Sequence, residues 1–223
     1  MPCARLFWQG SAEMFVLGLT GSIGMGKSAA GAAFRCFGIP VFDSDATVHA
    51  LFAPGGAAVA AVAKAFPGCL DAAGGIDRAA LGRKVFRDGP GLARLEAIVH
   101  PLVRVAQRRF LARCCAAGRR LVVLDIPLLY ETGGERRVDA VAVVSARSMV
   151  QAQRVLRRPG MNAERLAAIL RRQLPDAEKR RRADFVIRTD LDHRRAKVQI
   201  AGIIDAARTR PARAWPHRWP LIA

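Results

Sequence analysis

Between Gly18 and Ala29 the chain reads GLTGSIGMGKSA. Gly21, four further residues, then Gly26, Lys27 and Ser28 satisfy G-x-x-x-x-G-K-[ST], the spacing of a phosphate-binding P-loop. Glycines at 21, 24 and 26 let the backbone wrap tightly. A wrapped backbone turns successive N–H groups inward as an anion nest, and the positive end of a following helix adds to it. In this reading Lys27 reaches the outer phosphates and the Ser28 hydroxyl holds Mg²⁺.

Three carboxylates complete the chemical inventory. Asp125 ends the apolar run LVVL and has the position of an aspartate that assists the magnesium; a strand-end cap is the rival reading. Asp43 ends PVFD, where a carboxylate can accept a proton from an attacking hydroxyl. Asp45, two residues on, can contact a substrate, or Ser44 or Asp45 can cap the next helix. Further along, Arg154, Arg157 and Arg158 have the spacing of one helical face. They suit a mobile cationic segment over a moving phosphoryl group, or an ordinary solvated face.

Elements must bring these groups together. MFVLGLT reads as a buried strand leading into the loop, and KSAAGAAFRCF as the helix after it, with Phe34 and Phe37 on one side. IPVFD, RLVVLD, VDAVAVVSA and ADFVIRT read as further strands. SDATVHALF, PGGAAVAAVAKAF, DRAALGRKVF and the long run from Leu92 to Cys115 read as helices, with Pro101 bending or breaking the last. Residues 147–182 read as arginine-rich helix interrupted at RPGMN, and a final helix is expected near 192–208. Strands alternating with helices indicate an α/β fold, a parallel sheet covered on both faces by helices. Ligands of such sheets bind beyond the carboxyl ends of the strands, where the P-loop, Asp43 and Asp125 would all fall.

Composition narrows the class. The chain has 223 residues, 52% hydrophobic, enough for a substantial core. Its net charge is +18, unevenly spread: residues 1–144 carry 17 Lys and Arg against 11 Asp and Glu, residues 145–223 carry 19 against 7. Such a balance suits phosphate-rich ligands or nucleic acid. Aromatic content of 6%, mostly phenylalanine at core positions, argues against nucleic acid. No apolar run approaches the roughly 18 residues of a membrane span, and the N-terminus has no secretory signal. Five cysteines (3, 36, 69, 114, 115) without a C-x-x-C pair indicate reduced thiols and a cytoplasmic setting.

In order along the chain, GLTGSIGMGKS, FGIPVFDSDATVHALF, DRAALGRKVF, LEAIVHPLVR, LDIPLLYE, QAQRVLRR and ADFVI resemble the blocks of the dephospho-coenzyme A kinase family. The resemblance covers roughly residues 15–205. It implies a P-loop kinase fold in a single domain, 14–208, whose core is 14–52, 120–146 and 183–208. A helical substrate region is expected at about 53–119 and an arginine-bearing lid at about 147–182. Residues 1–13 would be an extension and 209–223 an extended or disordered tail. The implied reaction moves the γ-phosphoryl of ATP to the ribose 3′-hydroxyl of dephospho-coenzyme A, with Mg²⁺. The implied catalytic residues are Asp43, Lys27 and Arg154. ATP would be held by Gly21, Ser22, Ile23, Gly24, Met25, Gly26, Lys27, Ser28, Ala29 and Arg157, the acceptor by Asp45, Arg78 and His100, the metal by Ser28 and Asp125. The chain departs from the family pattern at Ser22, Met25 and Ala29, and VIRTD lacks the asparagine common after that strand.

Overall fold

A computed structural model describes residues 13–86, 89–190 and 192–220; the extension up to residue 12, with Cys3, and the last three residues lie outside them. Along the chain the elements are β1 (Phe15–Thr20), α1 (Lys27–Cys36), β2 (Val41–Asp43), α2 (Ser44–Phe52), α3 (Val59–Ala65), α4 (Arg78–Phe86), α5 (Gly89–Ala116), β3 (Leu121–Asp125), β4 (Ala140–Ser145), α6 (Ser148–Leu156), α7 (Ala163–Arg171), α8 (Asp176–Arg182), β5 (Phe185–Arg188) and α9 (His193–Thr209). They divide into two compact units. One runs to Phe42 and resumes over Leu111–Pro220; the other is Asp43–Phe110.

In the first unit the strands form one five-stranded sheet, ordered β2-β3-β1-β4-β5. The pairs β1–β3, β1–β4 and β4–β5 are parallel, with Leu19 opposite Asp125 and Ser145 opposite Arg188. Every residue of β1, β3 and β4 is buried. These strands are covered on both faces, which is why they read as continuous apolar runs rather than alternating ones. One face carries Phe15, Leu17 and Leu19 against Phe34 of α1 and Ile200, Ile203 and Ile204 of α9. Burying each such side chain contributes roughly 1.5–3 kcal/mol. Towards the opposite face, Ser145 donates to Asp176 Oδ2 at the start of α8, 2.8 Å away. There a Cβ on Gly18 would come within 2.9 Å of Leu129 Cδ2 and 3.3 Å of Val138 Cγ2. A side chain here would displace Leu129 and Val138, so glycine suits a 126–139 segment packed this close to β1.

The second unit has its own apolar cluster, Phe52, Val62, Phe66, Ile76, Leu81 and Val99 among its members. Asp77 starts α4 by accepting from Ala79 N (2.8 Å) and Ala80 N (3.0 Å).

Four expectations need correction. Pro101 does not end its helix: α5 runs 28 residues through it. Proline removes one N–H, hence one bond to the carbonyl of Ala97, which a helix of this length survives. Phe37 does not share the buried face of Phe34. The helix ends at Cys36, and Phe37 is its C-cap, 45% exposed. Neither Ser44 nor Asp45 caps α2; Asp43 does, accepting from Ala46 N at 2.9 Å.

The fourth concerns the tail, which is neither extended free of contacts nor disordered over residues 211–220. Ala214, Trp215 and Trp219 are buried. Asp139 Oδ1 accepts from Arg213 N (2.6 Å) and Ala214 N (2.7 Å), and its Oδ2 accepts from Val16 N in β1 (2.8 Å). Trp219 Nε1 donates to Arg137 O at 2.9 Å, and the Arg137 guanidinium lies 5.4 Å from the Trp219 ring centroid. Trp219→Ala should therefore cost about 3 kcal/mol or more in unfolding free energy. Urea denaturation would measure it; a loss below about 1 kcal/mol, the range of a surface change, would show the tail to be peripheral.

Candidate active site

The P-loop bridges β1 and α1, and its three glycines answer three different demands. A Cβ on Gly21 would stand 2.6 Å from the Val144 carbonyl oxygen of β4, so close approach excludes a side chain. Gly24 and Gly26 have φ of +76° and +90°, the left-handed region that other residues avoid. Gly26 is the N-cap of α1, whose first helical residues are Lys27, Ser28 and Ala29. The N–H groups of Gly24, Gly26, Lys27 and Ser28 make none of the loop's backbone–backbone hydrogen bonds among the described residues. They are the donors a phosphate group needs.

Lys27 Nζ pairs with Asp125 Oδ1, and Asp125 is 5% exposed. The pair joins the head of α1 to the end of β3. Ser28, one residue on, is exposed. A hydroxyl and a carboxylate oxygen are hard donors suited to Mg²⁺, which keeps most of its shell as water and phosphate oxygen. Among the described residues no three His, Cys, Asp or Glu side chains gather as a metal cage.

The loop is braced from outside by residues that sequence reasoning missed. Gln151 of α6 donates to Ile23 O at 2.8 Å, and Gln173 Oε1 accepts from Ile23 N at 3.1 Å. Thr189, just after β5, donates to Met25 O at 2.5 Å. Arg154 gives Nη1 to Thr189 Oγ1 (3.0 Å) and, at a long 3.5 Å, to Gly24 O; its Nη2 goes to Thr189 O (2.7 Å). Arg154 thus lies against the loop. Arg157 and Arg158 do not continue its helical face. The helix stops at Leu156, Arg157 is the C-cap, and both are exposed.

Thr189 has neighbours that fix it. Its N–H donates to Ser145 O at 2.9 Å. Asp190 accepts from Arg188 Nε (3.1 Å) and Nη2 (2.8 Å) and from Arg147 Nε (3.0 Å). The Arg188 hydrogen bonds hold the Asp190 carboxyl down at about 2. Beside this turn a cavity of about 490 Å³ is lined by Ala29, Ala33, Cys36, Arg154, Thr189 and Ile200, among others.

The expected acceptor residues belong to the second unit. Asp43 caps α2, and its carbonyl accepts from Thr47 Oγ1 at 2.8 Å. Asp45 is exposed in the first turn of α2. One turn later His49 meets Arg78, whose Nη1 is 2.6 Å from His49 Nε2. Reasoning from the sequence passed over His49; its spacing of four from Asp45 was the available signal. His100 is exposed on α5.

The family model and the curated relatives agree on one family. A family model described as dephospho-CoA kinase matches residues 15–194. The dephospho-CoA kinase of Paramagnetospirillum magneticum is 65% identical over 167 residues, 75% of this chain and 78% of that one. The dephospho-CoA kinase of Mesorhizobium japonicum is 54% identical over 195 residues, 87% of this chain and 98% of its own. A Thermus thermophilus protein of known crystal structure superposes with a TM-score of 0.78 at 35% identity, covering 89% of this chain and 100% of its own.

Proposed function

Since the chain belongs to the dephospho-CoA kinase family, we propose how its own residues perform that family's reaction. The enzyme transfers the γ-phosphoryl group of ATP to the ribose 3′-hydroxyl of dephospho-coenzyme A, the last step of coenzyme A synthesis. The observation that carries the residue assignments is the glycine loop at the head of α1, with its N–H donors and Lys27 held at Asp125.

Gly21 to Ala29 take the ATP phosphates, backbone N–H groups binding the inner oxygens and Lys27 the outer ones. The alanine-lined cavity beside Thr189 is apolar on one wall and large enough for a purine. Ser28 and Asp125 would hold Mg²⁺; when bound, the ion spreads the charge of the β- and γ-phosphates. Asp43 takes the proton of the attacking hydroxyl. That transfer can be late, because the transition state of phosphoryl transfer is loose and catalysis is mostly positioning. Asp45, Arg78 and His100 contact the acceptor, and His49 orients Arg78 through the contact they share. The purified protein should release ADP with dephospho-coenzyme A and not with a panel of nucleosides and sugars. Equal turnover of another acceptor would replace this substrate with that one.

We assign the lid to the exposed stretch around α7 rather than to the whole of 147–182. The helix before it, α6, is bonded to the P-loop through Gln151 and Arg154. The helix after it, α8, is anchored by Lys179, fully buried with Nζ 2.8 Å from Glu131 Oε1. ATP with acceptor should slow tryptic cleavage at Arg157 and Arg171. Identical cleavage with and without ligands would return these arginines to a solvated face. The domain core remains proposed as 14–52, 120–146 and 183–208. We place the enzyme in the cytoplasm, in keeping with its unpaired thiols at Cys36, Cys69, Cys114 and Cys115. No helix among the described residues is long and apolar enough to cross a membrane.

A further inference from the structure

A peptide plane fixes the carbonyl of one residue antiparallel to the N–H of the next. Whatever holds a P-loop carbonyl outward therefore aims the following N–H inward. Met25 O is held by the Thr189 hydroxyl, and the N–H in that plane is Gly26's. Ile23 O is held by Gln151, and the N–H in that plane is Gly24's. Both are among the donors left for phosphate. The same Thr189 oxygen that donates to Met25 O accepts from Arg154 Nη1, so one hydroxyl spends both its donor and an acceptor site. A Cβ on Gly26 would lie 3.0 Å from that oxygen, so loop and hydroxyl are in contact with no room between them.

We infer that Thr189 is a positioning residue for phosphate binding: its hydroxyl aims the Gly26 N–H into the phosphate nest and sets the Arg154 guanidinium at the loop. The inference rests on the ATP site proposed above. A short side chain with one hydroxyl does a job here that valine, its isostere, cannot do. Serine can.

The test compares Thr189→Val, Thr189→Ala and Thr189→Ser in steady-state kinetics with ATP and dephospho-coenzyme A, beside ATP binding by calorimetry and thermal melting. Valine and alanine should lower kcat/KM for ATP by about 10–10²-fold, the scale of a misplaced binding group. KM for dephospho-coenzyme A should stay constant, and serine should restore kcat/KM to within about 3-fold, well under the 1.4 kcal/mol that a factor of ten represents. In an Arg154→Met background the Thr189→Val change should cost much less than in the wild type, since the two act through one contact. Alanine reads the same loss if the valine variant does not fold. A folded valine or alanine variant with unchanged kinetics for ATP overturns the inference. So does a serine variant as damaged as valine, or full additivity with Arg154→Met. Wild-type protein inactive on dephospho-coenzyme A but binding ATP would refute the acceptor assignment and leave the Thr189 comparison readable in the binding data.

Discussion

Lys27→Ala should remove nearly all turnover. Loss of one fixed donor to developing charge typically costs about 10²–10³-fold in kcat, and Lys27 supplies a full charge as well as a donor. It is the first residue of α1, so its ammonium stands where the helix N-terminus and the loop N–H groups converge. Raising ATP should not recover the rate, because the lost interaction strengthens as the γ-phosphoryl detaches. The structure adds a second consequence. Asp125 is 5% exposed and loses its lysine partner, so the variant should also melt earlier than the wild type. Lys27→Ala read together with Lys27→Ala/Asp125→Asn separates the two effects. The double variant should recover melting temperature and stay inactive. A folded Lys27→Ala protein with near-normal kcat would remove the P-loop assignment.

Asp43→Asn is expected to be the other severe change. A positioned base is typically worth about 10²–10⁴-fold, or ~3–5 kcal/mol of barrier at about 1.4 kcal/mol per decade. The substitution is clean for a structural reason. Asp43 Oδ1 caps α2 through Ala46 N, and asparagine caps a helix as well as aspartate does. Stability should therefore hold while kcat falls, and ATP affinity should change little because the phosphates are held by other residues. Asp45→Asn supplies the comparison. Asp45 is exposed in the first turn of α2 and caps nothing, so losing its charge costs the helix only about 0.3–1 kcal/mol, and losing its contact to the acceptor should raise KM for the acceptor more than it lowers kcat. Steady-state kcat for both variants, beside ATP binding by calorimetry, decides the matter. If Asp43→Asn keeps the wild-type rate, or Asp45→Asn is the more damaged, the base is assigned to the wrong carboxylate.

Much of this site was legible because its information is local. The P-loop spacing is contiguous, and strands buried on both faces advertise themselves as unbroken apolar runs, so β1, β3 and β4 emerged near their true bounds. What stayed hidden was carried by long-range contacts with no periodic signature. Gln151, Gln173 and Thr189 brace a loop 128, 150 and 164 residues away in sequence. Nothing in their own neighbourhoods distinguishes them from surface polar residues. Helix ends were the other weakness. Arg157 and Arg158 extend the spacing of Arg154, yet the helix stops at Leu156, just ahead of Pro159 and Gly160. The tail misled for a related reason: Trp215 and Trp219 pack one by one between prolines, not along a repeating face.

That tail also bears on how a finished molecule differs from an unfinished one. Asp139 faces two ways, one oxygen to Val16 in β1 and the other to Arg213 and Ala214, which are made long after it. A nascent chain can assemble every strand of the sheet while the seat for Trp215 and Trp219 is still bare and one carboxylate oxygen still lacks its amides. A chain cut after Arg210 would hold every P-loop residue and still present an apolar scar beside a carboxylate short of two amide donors. Exposed apolar surface is what chaperones and proteases bind, so loss of the 211–220 segment should shorten the life of the folded chain while leaving the P-loop's own residues in place.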